Sequence, residues 1–218
     1  MNNSAPVPPL QEQIAALLRT PLPGSIVQLR MAPHGQELHE FTPPLNQPLR
    51  QAAVLLLLYP QPEGMSVIFT LRPTTLKHHA GEISFPGGAR EPHDASLQYT
   101  ALREGYEELG VAPDTLSVLG ALTPLYIPPS RNLVHPFVGW LTPPAVFRPQ
   151  AQEVAQILAI SLRHLRRPDT ITRRQWAHHG IQIDTPCYIM NDQCIWGATA
   201  MMLSEFLAII APLPETQL

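Results

Sequence analysis

Residues 87–111 read GGAREPHDASLQYTALREGYEELGV. Near the end of this stretch, Glu104, Glu107 and Glu108 place three carboxylates within five residues, with Arg103 ahead of them and Gly105 among them. Charged residues make up only 14% of the 218-residue chain, so the crowding stands out. Asp94 is a good N-cap and Gly110 a good residue beyond a C-terminus, which predicts a helix over 94–109. On a helical wheel, Ala95, Tyr99, Leu102, Tyr106 and Leu109 form an apolar stripe, and the three glutamates share the opposite face.

Three like charges on one face repel, and the macrodipole disfavours anions in the last turns of a helix. Arg103 can reach Glu107 at i+4 but cannot balance three acids. A divalent cation can, and carboxylate oxygens suit Mg²⁺ or Mn²⁺. A solvated acidic face with no role is the other reading of the same pattern. Ahead of the helix, SFPGGAREPHD is a loop whose paired glycines free backbone amides and carbonyls for phosphate or cation. Those glycines alone could equally mark a tight turn. Gly105 is costly inside a helix, which predicts close packing there against a neighbouring backbone.

The stretch 88–111 resembles the Nudix box, the loop-and-helix signature of the Nudix hydrolases. Gly88, Arg103, Glu104, Glu107, Glu108, Gly110 and Val111 match in type. Asp94 stands where that pattern has a first Glu, one extra residue precedes Arg103, and Gly105 takes an apolar position. Upstream, FTLRPTTLKHHAGEISFPGG is similar to the extended motif of coenzyme A diphosphatases in that family, through Thr70, Arg72, Gly81, Phe85, Pro86, Gly87 and Gly88. Lys77 replaces the usual Arg, and Pro73 a usual Ser or Ala.

The resemblance implies an α+β chain with a Nudix-like α/β/α sandwich built on a mixed β-sheet. It implies that Glu104, Glu107 and Glu108, with the Gly88 carbonyl, hold Mg²⁺ or Mn²⁺. Arg103 would orient the glutamates through a salt bridge to Asp94 or Glu107. Glu104 would polarise the attacking water, and Glu153, which opens EVAQIL, is the second candidate base or else a charge at a strand edge. Arg72, Lys77, Gly87 and Arg90 would meet the substrate, with His78, His79 and Arg131 as lesser candidates. The implied reaction converts CoA or a derivative to 4′-phosphopantetheine, or its acyl form, and adenosine 3′,5′-bisphosphate. Two alternatives stand beside it: a diphosphatase for another nucleoside diphosphate derivative such as ADP-ribose, and a Nudix-fold binding module without catalysis. A homodimer is common for the fold.

The rest of the chain sets bounds. A net charge of −3 argues against a general nucleic-acid binder. No run approaches the length of a membrane span, and the N-terminus lacks the basic start and apolar run of a secretory leader. A cytoplasmic protein is expected, with Cys187 and Cys194 as free thiols on a late hairpin turning at Asn191-Asp192. AVLLLLY and MSVIFTLR, separated by PQPEG, predict a first hairpin. EISFP, LSVLGALTPLYI, NLVHPFVGWL and EVAQILAISL predict further strands, and TAMMLSEFLAII and LQEQIAALLR predict helices. A proline-rich segment over 1–45 with a short helix is expected ahead of a domain over 46–212.

Overall fold

The computed structural model describes residues 8–33, 38–76, 79–178, 181–190 and 192–218. Its layout follows from β1 (Arg50–Gln61). Leu55, Leu56, Leu57 and Leu58 are all fully buried, so the unbroken apolar run marks a strand covered on both faces. Leu55 and Leu57 pack with Ala101 and Leu109 of α3 (Leu97–Leu109). Leu56 and Leu58 belong to a second cluster with Ile14 of α1 (Leu10–Leu18) and Phe206 of α5 (Gly197–Ile209).

β1 pairs antiparallel with β2 (Gly64–Leu71) across the turn at Pro62-Glu63, as expected for PQPEG. It runs parallel to β7 (Asn132–Leu141), which makes the sheet mixed. The eight-stranded sheet follows the order β3-β2-β1-β7-β5, with β3 at Ile83–Ser84 and β5 at Leu116–Ala121. Off this path, β4 (Gly87–Ala89) pairs with β1, β6 (Leu125–Ile127) with β7, and β8 (Gln156–Ser161) with β2. The expected EISFP strand is thus two short strands, β3 and β4, broken at Phe85-Pro86. β8 turns directly into the short α4 (Leu162–Leu165). A separate three-stranded sheet holds β9 (Ile171–His178), β10 (Ile181–Met190) and β11 (Gln193–Trp196).

The N-terminal segment packs into this body. Ile14, Leu18, Val27 and Met31 are buried, and the short α2 (Ser25–Gln28) lies against α5. Among the described residues no helix is long and apolar enough to cross a membrane.

Three expectations change. α3 starts at Leu97, not near Asp94: Ser96 is the N-cap, its Oγ accepting from the Tyr99 N–H at 3.1 Å. The buried face of α3 is also rotated. Tyr99 and Tyr106 are 48% and 54% exposed, whereas Ala101, Gly105, Glu108 and Leu109 are buried. Small residues let the helix sit close to β1, and proximity rather than summed hydrophobicity picked the face. Cys187 and Cys194, expected as free thiols, are joined as a disulfide with Cα atoms 5.8 Å apart. The β10–β11 register pairs Ile189 with Cys194 and Cys187 with Trp196, so the two cysteines are diagonal neighbours on one face of the hairpin. Asn191, from its predicted turn, lies outside the described residues.

Candidate active site

The diglycine loop and the acid-bearing helix meet face to face. Gly87 and Gly88 lie in β4, opposite Val54 and Ala53 of β1. A Cβ on Gly88 would lie 2.6 Å from Glu104 Cδ, so Glu104 rests its carboxylate directly on the glycine. A Cβ on Gly87 would lie 2.6 Å from Val54 Cα. Gly87 is therefore dictated by close approach to backbone, while Gly88 leaves the space that the Glu104 carboxylate fills. Gly105 serves the same end from the helix: a Cβ there would lie 3.0 Å from Leu55 Cδ2. The neighbour is a side chain of β1, not the backbone expected from the sequence.

Arg103 ties the loop to the helix. Its Nε donates to Asp94 Oδ1 at 3.0 Å and its Nη2 to Asp94 Oδ2 at 3.1 Å. Nη1 donates to Glu107 Oε2 at 2.9 Å, and Nη2 also reaches the Ala89 carbonyl at 3.1 Å and Glu104 Oε1 at 3.0 Å. Asp94 is held well below the usual carboxylate range, first by the Arg103 hydrogen bonds, with help from the Glu91 N–H and the Thr100 hydroxyl. Asp94 is thus no helix cap. It is the buried anchor of Arg103.

The carboxylates divide into two environments. Glu107 is half-exposed and occupied by Arg103. Glu108 is 3% exposed, and its carboxyl is pushed up to about 8, first by burial and then by the charge of Glu104. The charge of Glu153 adds to this, while Arg72 and a hydrogen bond from the Gly87 N–H oppose it. Glu104 is raised as well, first by burial, with Arg103 acting against it and Glu107 and Glu153 with it. Glu104, Glu108 and Glu153 therefore share a field, with Glu107 also acting on Glu104.

Glu153 is exposed and lies in a turn before β8, not at a strand edge. Its loop is strapped to the end of α3: the Arg148 N–H donates to the Leu109 carbonyl at 2.7 Å and the Gln150 N–H to the Glu108 carbonyl at 3.1 Å. Gly110 permits this with φ 71°, and a Cβ there would lie 2.7 Å from Arg148 Cβ.

Among the predicted cations, Arg72 directly follows β2, acts on Glu108, and has a buried Nε without a hydrogen-bond partner. Arg90 does not turn toward Glu108: its Nη2 donates to the Asp94 carbonyl at 3.1 Å. His79 Nδ1 pairs with Glu82 at 2.9 Å, and Arg131 Nη2 donates to Gln47 at 2.6 Å. Lys77 and His78 lie outside the described residues. Thr100 and the Ala89 carbonyl join the network without having been singled out. Thr100 stands six residues after Asp94, a spacing no motif marks.

Among the described residues no three acid, histidine or cysteine side chains close on one point as a metal centre. The donor set nonetheless fits a hard cation. Its ligand atoms are all oxygens, and Glu104 and Glu108 are two desolvated acids whose repulsion a divalent ion would relieve.

Comparison with known proteins shows the family. The NUDIX domain family matches residues 49–178. The chain is 33% identical over 165 residues to the human mitochondrial coenzyme A diphosphatase NUDT8, covering 74% of this chain and 70% of that protein. It is 35% identical over 182 residues to the uncharacterized Nudix hydrolase NudL of Pectobacterium atrosepticum, covering 79% and 90%. A probable nudix hydrolase of Schizosaccharomyces pombe, C6G9.05, is 31% identical over 169 residues, and the chain spans only 59% of its length. In fold, the crystal structure of RenU, a Nudix hydrolase of M. smegmatis, superposes with a TM-score of 0.51 at 18% identity, over 76% of this chain and 88% of that one.

Proposed function

Because the chain belongs to the Nudix hydrolases, we propose that it cleaves the diphosphate of coenzyme A or a CoA derivative, yielding 4′-phosphopantetheine, or its acyl form, and adenosine 3′,5′-bisphosphate. The observation that carries the reading is the meeting of Glu104, Glu108 and Glu153 with Arg72 beside the diglycine loop. That the human relative is named a coenzyme A diphosphatase supports the CoA substrate.

Glu104 and Glu108, with the Gly88 carbonyl, would hold Mg²⁺ or Mn²⁺, and Glu107 orients Arg103 from the solvent side. Such an ion supplies charge neutralisation for the diphosphate and lowers the pKa of a bound water. Arg103 fixes the Glu104 carboxylate over Gly88. Arg72, with its buried and unpartnered Nε, binds a phosphate oxygen of the substrate. Glu153 faces solvent beside the two desolvated acids and takes the proton of the attacking water on a carboxylate oxygen. Water oxygen then joins phosphorus as the bridging P–O bond breaks and the leaving phosphate departs with the electron pair.

The test is a substrate panel of CoA, acetyl-CoA, 3′-dephospho-CoA and ADP-ribose with Mg²⁺ or Mn²⁺, products identified by mass spectrometry. Adenosine 3′,5′-bisphosphate from CoA is expected, with ADP-ribose turned over poorly. Turnover of ADP-ribose with CoA untouched under either metal would replace the CoA assignment.

A further inference from the structure

Thr100 lies in the first turns of α3, fully buried, and the reading above does not use it. Threonine is a middling choice for a helix interior, and valine would fill the same space. Its hydroxyl is therefore what the position gains. That hydroxyl donates to Asp94 Oδ2 at 2.9 Å, and the Ser96 carbonyl, its alternative acceptor, is at 3.3 Å. A hydrogen bond to an ionised carboxylate is the stronger of the two.

The side chain of Asp94 is fully buried, so protein donors must replace the water it has lost. Oδ2 accepts from Thr100, from the Glu91 N–H at 2.9 Å and from Arg103 Nη2 at 3.1 Å. Oδ1 accepts from Arg103 Nε at 3.0 Å. Thr100 thus supplies the one bond that ties this carboxylate to α3 independently of Arg103. From Asp94 the links continue through Arg103 to Glu104 Oε1 and to the Ala89 carbonyl next to Gly88.

We infer that Thr100 is a positioning residue, whose hydroxyl fixes Asp94 and, through Arg103, the place of the Glu104 carboxylate over Gly88. The inference rests on the reading of Glu104 as a cation ligand. Two variants test it, Thr100→Val and Thr100→Ser, each titrated with Mn²⁺ by electron paramagnetic resonance without substrate, then assayed on CoA. Thr100→Val is expected to weaken Mn²⁺ binding about fivefold, below the roughly 10–100-fold typical when a group bonded directly to a ligand is lost. It should lower kcat more than it raises KM, and Thr100→Ser should restore both.

Ser204→Ala is the control. It removes another buried hydroxyl, one that donates to the Val27 and Met201 carbonyls away from the site. It should lower Tm and leave Mn²⁺ affinity alone. Wild-type Mn²⁺ affinity and kcat in Thr100→Val overturn the inference. So does Thr100→Ser as impaired as Thr100→Val, or equal Mn²⁺ weakening in Ser204→Ala. A wild-type protein that binds no Mn²⁺ overturns it together with the metal reading. If only the CoA assignment fails, the wild-type protein binds Mn²⁺ but releases no adenosine 3′,5′-bisphosphate, and the variants still compare on affinity.

Discussion

Burial of Glu108 beside Glu104 couples its ionisation to folding and to metal. In the folded, metal-free protein burial pushes its carboxyl up to about 8, against an ordinary 4.5. A raised acid binds its proton more tightly when folded, so its contribution is fully present below about pH 4.5 and is lost as pH climbs toward 8. In EDTA, Tm should therefore fall across that window, and Glu108→Gln should flatten the slope and raise Tm at pH 8. Metal must displace the proton, so Mg²⁺ should stabilise the wild-type protein more at pH 8 than at pH 6. The same Glu108→Gln variant should lose more than about 100-fold in kcat, beyond what losing a supporting residue costs. Scanning fluorimetry over a pH series, beside the CoA assay, checks both halves. A variant that is less stable at pH 8 and fully active contradicts the assignment. The identity of these acids was legible in the sequence, because three of them crowd a chain poor in charge. Their division was not: Glu107 turns to Arg103 while still acting on Glu104, and Glu153, distant in sequence, joins the cluster. The strap from Arg148 and Gln150 to the end of α3, with the Ala155 N–H bonded to the Leu71 carbonyl, brings Glu153 there.

The helix that carries the acids is set by what it rests on. Both glycine and tyrosine positions in α3 misled the wheel, which counts the hydrophobicity of Tyr99 and Tyr106 but not the space beneath them. Helix existence and its end at Gly110 were readable from cap residues and spacing. Its rotation depended on Leu55, which belongs to another strand. Leu55 is held between two glycines: a Cβ on Gly105 would lie 3.0 Å from Cδ2, and one on Gly139 would lie 2.9 Å from Cδ1. With one branch tip beside each glycine, Leu55 has to shift by a few tenths of an ångström to admit a methyl at Gly105. Gly105→Ala gains about 1 kcal/mol of helix propensity. Overpacking a core of this kind costs roughly 1–3 kcal/mol. A net loss of about 1 kcal/mol is expected in urea denaturation, with reduced kcat as α3 and its carboxylates move from Gly88. In a Leu55→Val background the branch tips are gone, so the same substitution should become neutral or stabilising. Strict additivity of the two changes would refute this account of Gly105.

At the scale of the molecule, the segments outside the matched 49–178 region supply one of the two covering layers. Leu56, Leu58, Val67 and Phe69 are buried in the cluster that contains Ile14, Leu18, Met201 and Phe206. The strand itself was readable from its apolar run, and a cover on each face was implied by the Nudix resemblance, but the identity of the second cover was not readable. The first 45 residues are short on periodicity and rich in proline, and among the described ones Gly24 and Gln28 are tied down by a distant acid as well as by the buried Ile14, Leu18 and Met31. Glu205 is 0% exposed, inside the otherwise uncharged α5. Its Oε1 accepts from the Gly24 N–H at 3.0 Å and Thr123 Oγ1 at 2.6 Å, and its Oε2 from Gln28 Nε2 at 2.8 Å and the Thr123 N–H at 3.2 Å. All four partners are donors, so a carboxylate, which only accepts, satisfies each of them. Three stretches far apart in sequence are pinned at that one group. Glu205→Gln turns one oxygen into an amide that faces two donors. Buried donors left unmet cost about 1–3 kcal/mol each, so a loss of about 3 kcal/mol is expected in urea denaturation. Well below Tm, kcat should be unchanged, since Glu205 belongs to the layer opposite α3. Gln28→Leu should lose less, because it removes a donor and leaves no orphan on the carboxylate that the other three cannot serve. A chain cut to 49–178 would expose Leu56, Leu58, Val67 and Phe69 to water and should not fold. Cooperative unfolding of that fragment, or wild-type stability in Glu205→Gln, would show that the flanking segments are ornaments on a domain complete without them.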